Sequence, residues 1–277
     1  MYNLKIGFIF AITTLLGVYF YSNERDLVIY DEKKFLSNYI HNIGYKDHKL
    51  IVYDVEEELK YVKDNIYKKD KEILFLKSIL NSQDRCKLYI YGGAVRDALL
   101  NNTIRDVDAK TNCPLNIFTN YLPKNVNYTI VGDLIRIHEP SIDISNINSL
   151  MCNDFTLNGF IYDIRNNLIF NLYDSLEDLF HRRLLYGCDG YDPKFQLPFR
   201  LVKFKNRNYT YSKDLENEIF EKFKNIYIND NNNYLIKKNY YKNEWYNTEE
   251  DKKQFLESMS YYENLVDDKS EIMDSED

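Results

Sequence analysis

Two aspartates and a pair of glycines are the residues of this chain whose types and spacing best support chemistry. Asp106 and Asp108 stand two positions apart in the stretch RDVD, and Gly93 precedes Asp106 by 13 positions. On a β-strand, residues at i and i+2 face the same side, so both carboxylates would lie a few ångströms apart. Two such carboxylates repel each other unless a cation joins them, and their hard oxygens suit Mg²⁺. The pair predicts a magnesium site, although an isolated pair of this kind is more often two solvent-facing strand residues.

The glycine pair predicts a phosphate-binding turn. An apolar strand pattern over residues 87–91 runs into Gly92 and Gly93, and a helical pattern begins at Ala94. Without a Cβ, the backbone N–H groups of such a turn can approach a ligand, and the start of the helix favours an anion. Arg96, one turn into the helix, could fork onto phosphate oxygens. A glycine pair alone would more simply be a turn, so the prediction rests on its combination with the carboxylates.

These motifs, YGGAVRDALL at residues 91–100 and DVD at 106–108, resemble the head domain shared by class II tRNA CCA-adding enzymes and bacterial-type poly(A) polymerases. That family belongs to the polymerase-β nucleotidyltransferase superfamily. Further stretches resemble its motifs in the same order: NDFTLNGFIYD at 153–163, LYDSLEDL at 172–179 and PFRLVK at 198–203. The resemblance covers about residues 86–205.

The resemblance implies a fold and an activity. The fold is α+β, a polymerase-β-like nucleotidyltransferase head with a small mixed sheet and packed helices, followed by a short helical neck. The activity is template-independent transfer of a nucleotide from a nucleoside triphosphate, ATP or CTP, to an RNA 3′ end, with tRNA among the candidate acceptors. Two Mg²⁺ ions would catalyse this transfer, one lowering the pKa of the 3′-hydroxyl and the other stabilising the pyrophosphate leaving group.

The resemblance also implies roles for individual residues. Asp106 and Asp108 would be the catalytic metal ligands, and Asp143, on a neighbouring predicted strand, is the candidate third carboxylate. For Asp143 the alternative is a plain acid on the strand surface. The predicted nucleotide-binding residues are Gly92, Gly93, Arg96, Asp154, Asn158, Arg200 and Lys203.

The chain departs from the family pattern at several points. Asn153 replaces an arginine expected near the triphosphate, and Leu197 stands where an acid would help Arg200 to recognise the base. The segment between Ser145 and Asn153 is short, and few residues follow Lys203 to form the helical parts that bind tRNA. Two alternatives therefore stay open: a nucleotidyltransferase with a protein or small-molecule acceptor, and an inactive member that acts as a membrane-tethered binding or scaffold subunit. Mg²⁺-dependent binding of a triphosphate separates the active alternatives from the inactive one.

Periodicity predicts the elements that would position these residues. Apolar residues at three-to-four spacing predict a helix over residues 54–80. The predicted strands are residues 87–91, 105–109, 128–131, 134–138, 141–144 and 168–172, and the predicted helices are 94–100, 154–162, 175–185 and one that starts at Pro198. Interleaved strands and helices of this kind favour an α/β or α+β domain.

Composition excludes several classes of protein. Aromatic residues make up 16% of the 277 residues, which argues against global disorder. The net charge is −7, but residues 249–277 hold 11 acids and three lysines, which leaves +1 for the remaining chain. The four histidines have no metal-ligand spacing, and neither a P-loop nor a GxSxG motif is present. A zinc hydrolase, a P-loop enzyme and an α/β-hydrolase are therefore excluded.

The cysteines and the N-terminal region bear on location. The chain has four cysteines and no CxxC pair, which predicts reduced thiols rather than a disulfide framework. Residues 6–21 carry no charge and predict a membrane anchor, with a buried N-terminal helix as the alternative. Basic residues follow this segment closely, so the bulk of the chain is expected to face the cytosol.

The domain organisation follows from these patterns. The predicted regions are a hydrophobic anchor over residues 1–23, a helical extension over 24–84, the head over 85–190, a truncated helical neck over 191–229 and a mobile polar and acidic tail over 230–277. Two small basic groups, Arg182–Arg183 and Lys203, Lys205 and Arg207, fall inside the head and neck. The second group could contact an RNA backbone or a triphosphate, or could be a helix face in water.

Overall fold

A computed structural model of the chain describes residues 26–37, 50–56, 58–147, 153–187 and 197–219, together with residues 221, 253 and 260. The predicted anchor over residues 1–23 lies outside these ranges, as does almost all of the predicted tail over 230–277. Among the described residues, no helix combines the length and the apolar character that crossing a bilayer requires. The described residues form two compact units: the first contains those up to 147 and 160–174, and the second contains 153–159 and those from 175 onward.

An eight-stranded mixed sheet is the centre of the first unit. Its strands are Ile51–Asp54 (β1), Leu88–Tyr91 (β2), Val107–Thr111 (β3), Tyr128–Val131 (β4), Leu134–Ile137 (β5), Ile142–Asn146 (β6), Phe160–Asp163 (β7) and Leu168–Asn171 (β8). They are arranged in the order β1-β8-β7-β2-β3-β6-β5-β4. The β3–β6 pair is parallel, and the other neighbours are antiparallel.

Helices accompany both units. They are residues 26–37 (α1), Lys60–Ile66 (α2), Asp70–Ser82 (α3), Gly93–Leu99 (α4), Leu115–Phe118 (α5), Leu176–Phe180 (α6), Leu197–Lys205 (α7) and residues 213–219 (α8). Single 3₁₀ turns lie at Thr119–Tyr121 and Thr156–Asn158. The mixed sheet with its helices confirms the predicted α+β class.

The core of the first unit is built on strands that are buried along their whole length. Every residue of β7 and β8 is buried. Leu36 of α1 packs into the apolar cluster that contains Tyr89 and Phe170. The Tyr89 hydroxyl donates a hydrogen bond to the Glu32 carboxylate of α1 (3.0 Å), and Glu32 also forms an ion pair with Lys87. Helix α1 thereby fixes β2, the strand that runs into the glycine pair.

Three segments differ from the helices predicted for them. Residues 54–80 form the end of β1 and two helices, α2 and α3, that residues 67–69 separate. The helix predicted over residues 175–185 ends at Phe180, and the chain turns at Arg182 with φ +52°. Residues 154–162 form a 3₁₀ turn and most of β7, because Phe160–Asp163 is paired on both sides in the sheet. In this last segment, long-range strand pairing overrides the local periodicity.

A disulfide between Cys86 and Cys113 corrects the prediction of reduced thiols for these two residues. Cys152 and Cys188 lie outside the described residues. Leu88 pairs with Thr111 in the β2–β3 register, so positions 86 and 113 lie opposite each other just beyond the paired residues. Their Cα atoms are 5.4 Å apart, within the range that a disulfide requires. A separation of 27 positions gives no local signal of this pairing.

Candidate active site

The glycine turn joins β2 to α4. Gly92 has φ +66°, where residues with a Cβ are strained, so the backbone itself calls for glycine. The Gly92 N–H donates to the Phe160 carbonyl (2.9 Å), and the Gly92 carbonyl accepts from the Arg96 N–H (3.0 Å). At Gly93, an added Cβ would meet only Arg96 Nη2, at an ordinary contact distance of 3.6 Å. The fold therefore requires glycine at Gly92, whereas the space beside Gly93 would accept a Cβ.

Arg96, predicted to bind phosphate, is buried in α4, with 7% of its surface exposed. Its Nε and Nη2 atoms donate to Asp97 Oδ1 at 3.0 and 2.9 Å. A neighbouring carboxylate thus orients the guanidinium close to the glycine turn. The contact of Arg96 with a triphosphate stays a prediction.

The three predicted metal ligands lie on two neighbouring strands of the first unit. Ile90 pairs with Ala109, so the end of β2 and the start of β3 meet at the same edge of the sheet. Asp106 immediately precedes β3 and is exposed, and Asp108 lies within β3 and is half-buried. Asp143 of β6 is the register partner of Asp108. Asp106, Asp108 and Asp143 are called the carboxylate edge below.

Asp143 is engaged by a bidentate ion pair. Nε and Nη2 of Arg136, on β5, donate to Oδ1 and Oδ2 of Asp143 at 2.9 and 2.7 Å. The register explains this pair, because Arg136 lies directly opposite Asp143 in the β5–β6 ladder. The fork occupies both carboxylate oxygens, which are the atoms that a metal would need.

The residues of the carboxylate edge fit a magnesium ion only in part. The hard oxygens of Asp106 and Asp108 suit Mg²⁺, and their position at a strand end leaves room for water and phosphate ligands. Within the described ranges, however, no three His, Cys, Asp or Glu side chains come close enough to hold a metal ion together. Asp143, the predicted third ligand, forms its ion pair with Arg136.

Lys110 is a charged neighbour of the carboxylate edge that the sequence analysis missed. It follows Asp108 by two positions on β3, so both side chains start from the same face of the sheet. Burial lowers the pKa of Lys110 to about 8, and the Asp108 carboxylate acts in the opposite direction. The Lys110 ammonium lies 4.5 Å from the centre of the Tyr91 ring, a cation–π distance. The signal in the sequence was the alternation DxDxK, which continues the spacing of the two aspartates.

The second unit gathers three of the predicted nucleotide-binding residues, called the polar cluster below. Asp154 is almost fully buried, and its Oδ2 accepts a hydrogen bond from Arg200 Nη1 of α7 at 2.9 Å. Its Oδ1 accepts from Asn158 Nδ2 at 2.7 Å. The Thr156 hydroxyl, between them in the chain, is buried without a hydrogen-bond partner in the described part of the molecule. Lys203, one turn after Arg200 on α7, is half-buried.

The departures from the family pattern have structural counterparts in the same unit. Leu197, at the position expected to carry an acid, is fully buried at the start of α7 and belongs to the apolar core. Arg200 takes its carboxylate partner from Asp154 instead. Asn153 is buried, and a Cβ at Gly187 would lie only 2.1 Å from its carbonyl oxygen, so the two backbones approach too closely for any other residue at Gly187.

The structure thus brings the predicted residues together in two sets, one in each unit. The first unit joins the glycine turn to the carboxylate edge through the β2–β3 pairing. The second unit forms the polar cluster. The two sets differ in their chemistry. The first contains carboxylates and the backbone of two glycines, and the second contains the Arg200 guanidinium in an ion pair with Asp154.

Residues 88–150 match the family model described as the poly A polymerase head domain. This match covers the glycine turn and the whole carboxylate edge. It confirms the predicted resemblance to the family of class II CCA-adding enzymes and bacterial-type poly(A) polymerases. A comparison with curated protein sequences finds no match.

Solved structures of CCA-adding enzymes share the fold. The Thermotoga maritima CCA-adding enzyme complexed with tRNA_CCA has a TM-score of 0.60 and 17% identity, covering 77% of this chain and 55% of that one. A CCA-adding enzyme complexed with CTP has a TM-score of 0.60 and 16% identity, with 78% and 56% covered. A complex with ATP has a TM-score of 0.61 and 17% identity, with 76% and 55% covered. The chain therefore spans little more than half the length of these enzymes.

Proposed function

We propose that this chain, with its poly(A) polymerase head fold, is a template-independent RNA nucleotidyltransferase. It would transfer a nucleotide from a nucleoside triphosphate to the 3′-hydroxyl of an RNA and release pyrophosphate. One observation carries the proposal: Asp106 and Asp108 stand beside a glycine turn at one edge of the sheet, within the stretch that matches the head-domain family. The finer proposal is that ATP and CTP are the donors and that tRNA 3′ ends are among the acceptors.

The first unit would carry the chemical step. The 3′-oxygen attacks the α-phosphorus, the bond to the bridging oxygen breaks, and pyrophosphate leaves in line. Asp106 and Asp108 would hold Mg²⁺. When bound, this ion would supply a lower pKa for the 3′-hydroxyl and neutralise negative charge on the leaving pyrophosphate. The open backbone at Gly92 and Gly93 would approach the triphosphate, and Arg96 would add a cation. Positioning and electrostatics would then supply most of the rate acceleration.

The second unit would recognise the nucleotide. Arg200 presents a guanidinium that Asp154 orients through a hydrogen bond of 2.9 Å. Asp154 would thus take the place of the acid that the family pattern has at Leu197. The Arg200 guanidinium would remain oriented as a planar hydrogen-bond donor to the edge of a base. Asn158 and Lys203 would contribute further polar contacts to the nucleotide.

An inactive or altered-acceptor member of the fold, acting as a membrane-tethered binding or scaffold subunit, is the second candidate. The ion pair between Arg136 and Asp143 favours it, because it takes the third carboxylate away from a metal. The apolar residue at Leu197 favours it as well. A chain of this kind would keep the fold without turnover.

The test is a transfer assay on the full chain. The chain is incubated with Mg²⁺, one labelled nucleoside triphosphate at a time, and an RNA pool that contains tRNA lacking its CCA end. The variant Asp106→Asn/Asp108→Asn is compared with Asp64→Asn/Asp133→Asn, which makes the same change of charge at two exposed positions of the same unit.

The outcomes separate the candidates. Label that enters RNA with the parent and the control variant, but not with the site variant, supports the proposal. Mg²⁺-dependent triphosphate binding without RNA labelling would indicate an acceptor other than RNA. The absence of both triphosphate binding and nucleotide transfer would overturn the proposal and leave the scaffold candidate.

A further inference from the structure

The fold joins the two basic groups of the second unit into one surface. Arg182 and Arg183 follow α6, Lys205 is the last residue of α7, and Arg207 lies two positions beyond it. The Thr210 N–H donates to the Arg182 carbonyl at 2.8 Å, so the two segments run side by side. Arg182 Nη1 also donates to the Arg207 carbonyl at 3.2 Å. Arg182, Arg183, Lys205 and Arg207 are called the basic surface below.

The four cations of this surface differ in how far a carboxylate neutralises their charge. Arg183 pairs with Asp178 at 2.8 Å and lies 3.9 Å from Glu177. Within the described ranges, neither Arg182 nor Lys205 has a carboxylate within ion-pair distance, and both side chains are exposed. The surface therefore keeps an excess of positive charge in a protein whose net charge is −7.

Left-handed residues end the two helices beside the basic surface. Arg182 and Asn208 have φ values of +52° and +62° shortly after the ends of α6 and α7. The Arg183 N–H donates to the Asp178 carbonyl at 2.8 Å, and the Tyr209 N–H donates to the Phe204 carbonyl at 3.1 Å, which are the hydrogen bonds of ordinary helix C-caps. These caps define where the chain leaves each helix.

Exposed apolar side chains flank the arginines. Phe180 is 51% exposed at the end of α6, and Leu185 is 49% exposed two positions after Arg183. Cations that alternate with an exposed aromatic ring are the pattern of surfaces that bind single-stranded nucleic acid. In such surfaces the cations contact phosphates and the rings stack on bases.

We propose that the basic surface binds the phosphodiester backbone of the single-stranded RNA acceptor, with Phe180 stacking on a base. This inference rests on the proposed transfer to RNA and names the surface that recognises the acceptor. The charge excess and the exposed ring both lie in the second unit. An acidic protein partner is the competing occupant, and the test includes it.

The experiment measures binding by fluorescence anisotropy with the full chain, without triphosphate. The probe is a labelled, unstructured single-stranded RNA, titrated at several salt concentrations. The variant Arg182→Gln/Lys205→Gln/Arg207→Gln is compared with Lys60→Gln/Lys71→Gln/Lys124→Gln, which removes three exposed cations from the first unit. Lys205→Gln alone is the safeguard against misfolding, because this exposed side chain supports no described contact. Circular dichroism checks that each variant is folded.

Loss of three phosphate contacts should make the negative slope of log K against log salt shallower by about 2. Lys205→Gln alone should make it shallower by about 0.7. The triple variant should bind at least about tenfold more weakly at low salt, and Phe180→Ala about tenfold more weakly. The control should keep the parent's affinity and slope. An equal loss in the control, an unchanged slope in the triple variant, or equal affinity for a polyglutamate peptide and for RNA would each overturn the proposal.

The design separates this inference from the proposed function. The variant Asp106→Asn/Asp108→Asn should keep the parent's RNA affinity, because the basic surface is intact in it. RNA binding that depends on the basic surface, in a chain without transfer activity, would support the inference while the proposed function fails. Transfer to RNA with an unchanged KM for RNA in the triple variant would overturn the inference while the proposed function stands.

Discussion

The carboxylate edge and the polar cluster both contain aspartates, but they hold them in opposite ways. Asp106 is exposed and Asp108 is half-buried at a strand end. Asp154 is almost fully buried, and both of its oxygens accept hydrogen bonds, from Arg200 and Asn158. A solvent-facing carboxylate can exchange water for a ligand at little cost, whereas a buried one that the fold satisfies is costly to disturb. Substitutions at the edge should therefore change activity, and substitutions in the cluster should change stability.

The largest expected effect tests the first half of this comparison. Asp108→Asn should lower the transfer rate by about 10³-fold, because a metal ligand contributes several kcal/mol to transition-state stabilisation. The free energy of unfolding should fall by no more than about 1 kcal/mol, because Asp108 is half-buried beside the buried Lys110. Steady-state transfer kinetics and urea unfolding measure the two quantities. The exposed Asp133→Asn is the control, and a large loss of stability in Asp108→Asn would break the comparison.

The buried cation beside the carboxylate edge sharpens the comparison through pH. Burial lowers the pKa of Lys110 from 10.5 to about 8. Between these values the unfolded chain binds more protons than the folded chain, so this residue makes stability rise with pH across that window, by about 3 kcal/mol in total. Lys110→Met should remove that rise and be more stable than the parent at neutral pH. Urea unfolding at a series of pH values measures this effect, and the exposed Lys71→Met should behave like the parent.

The polar cluster provides the matching test of stability. Asp154→Asn should lower the free energy of unfolding by about 2 kcal/mol, because Arg200 loses its charged partner. The effect stays below that of a fully buried pair, since the Arg200 side chain is 34% exposed. Asp178→Asn is the control in the same unit, where an exposed pair with Arg183 is broken at a cost below about 1 kcal/mol. Equal losses in the two variants would contradict the structural role of Asp154.

The smallest expected effect concerns Asp143, the member of the carboxylate edge that forms an ion pair with Arg136. Arg136→Gln releases Asp143 from an exposed ion pair worth less than about 1 kcal/mol. If Asp143 then joins the metal, the Mg²⁺ concentration for half-maximal transfer should fall by about two- to fivefold. A magnesium titration of the transfer rate measures this shift, with Arg85→Gln as the control. An unchanged titration would identify Asp143 as a plain surface acid.

The sequence was informative where local chemistry and local structure coincide. The glycine turn could be predicted because Gly92 follows an apolar strand and precedes a helix, and the structure places it there with a positive φ. The hairpin of β4 and β5 could be predicted because Gly132 and Asp133 separate two apolar runs. These features depend only on residues that are neighbours in the chain, so a single sequence is enough to predict them.

Pairing between distant residues could not be predicted in the same way. Nothing in the stretch IVYD of β1 points to its partner β8, more than a hundred positions away. Arg136 and Asp143 were both visible, but only the β5–β6 register makes them a pair that competes with a metal. Lys110 was passed over because its burial, not its position, makes it unusual. Burial and register are properties of the whole fold.

The disulfide between Cys86 and Cys113 closes a covalent ring that contains β2, the glycine turn, α4 and β3. Residues 101–103 within this ring are exposed. A protease that cuts there leaves Gly92 on one fragment and Asp106 and Asp108 on the other, with the disulfide still linking them. Such a nicked chain migrates as a single band on a non-reducing gel and as two bands after reduction. The disulfide thus keeps the glycine turn and the two aspartates in one covalently linked molecule after such a cut.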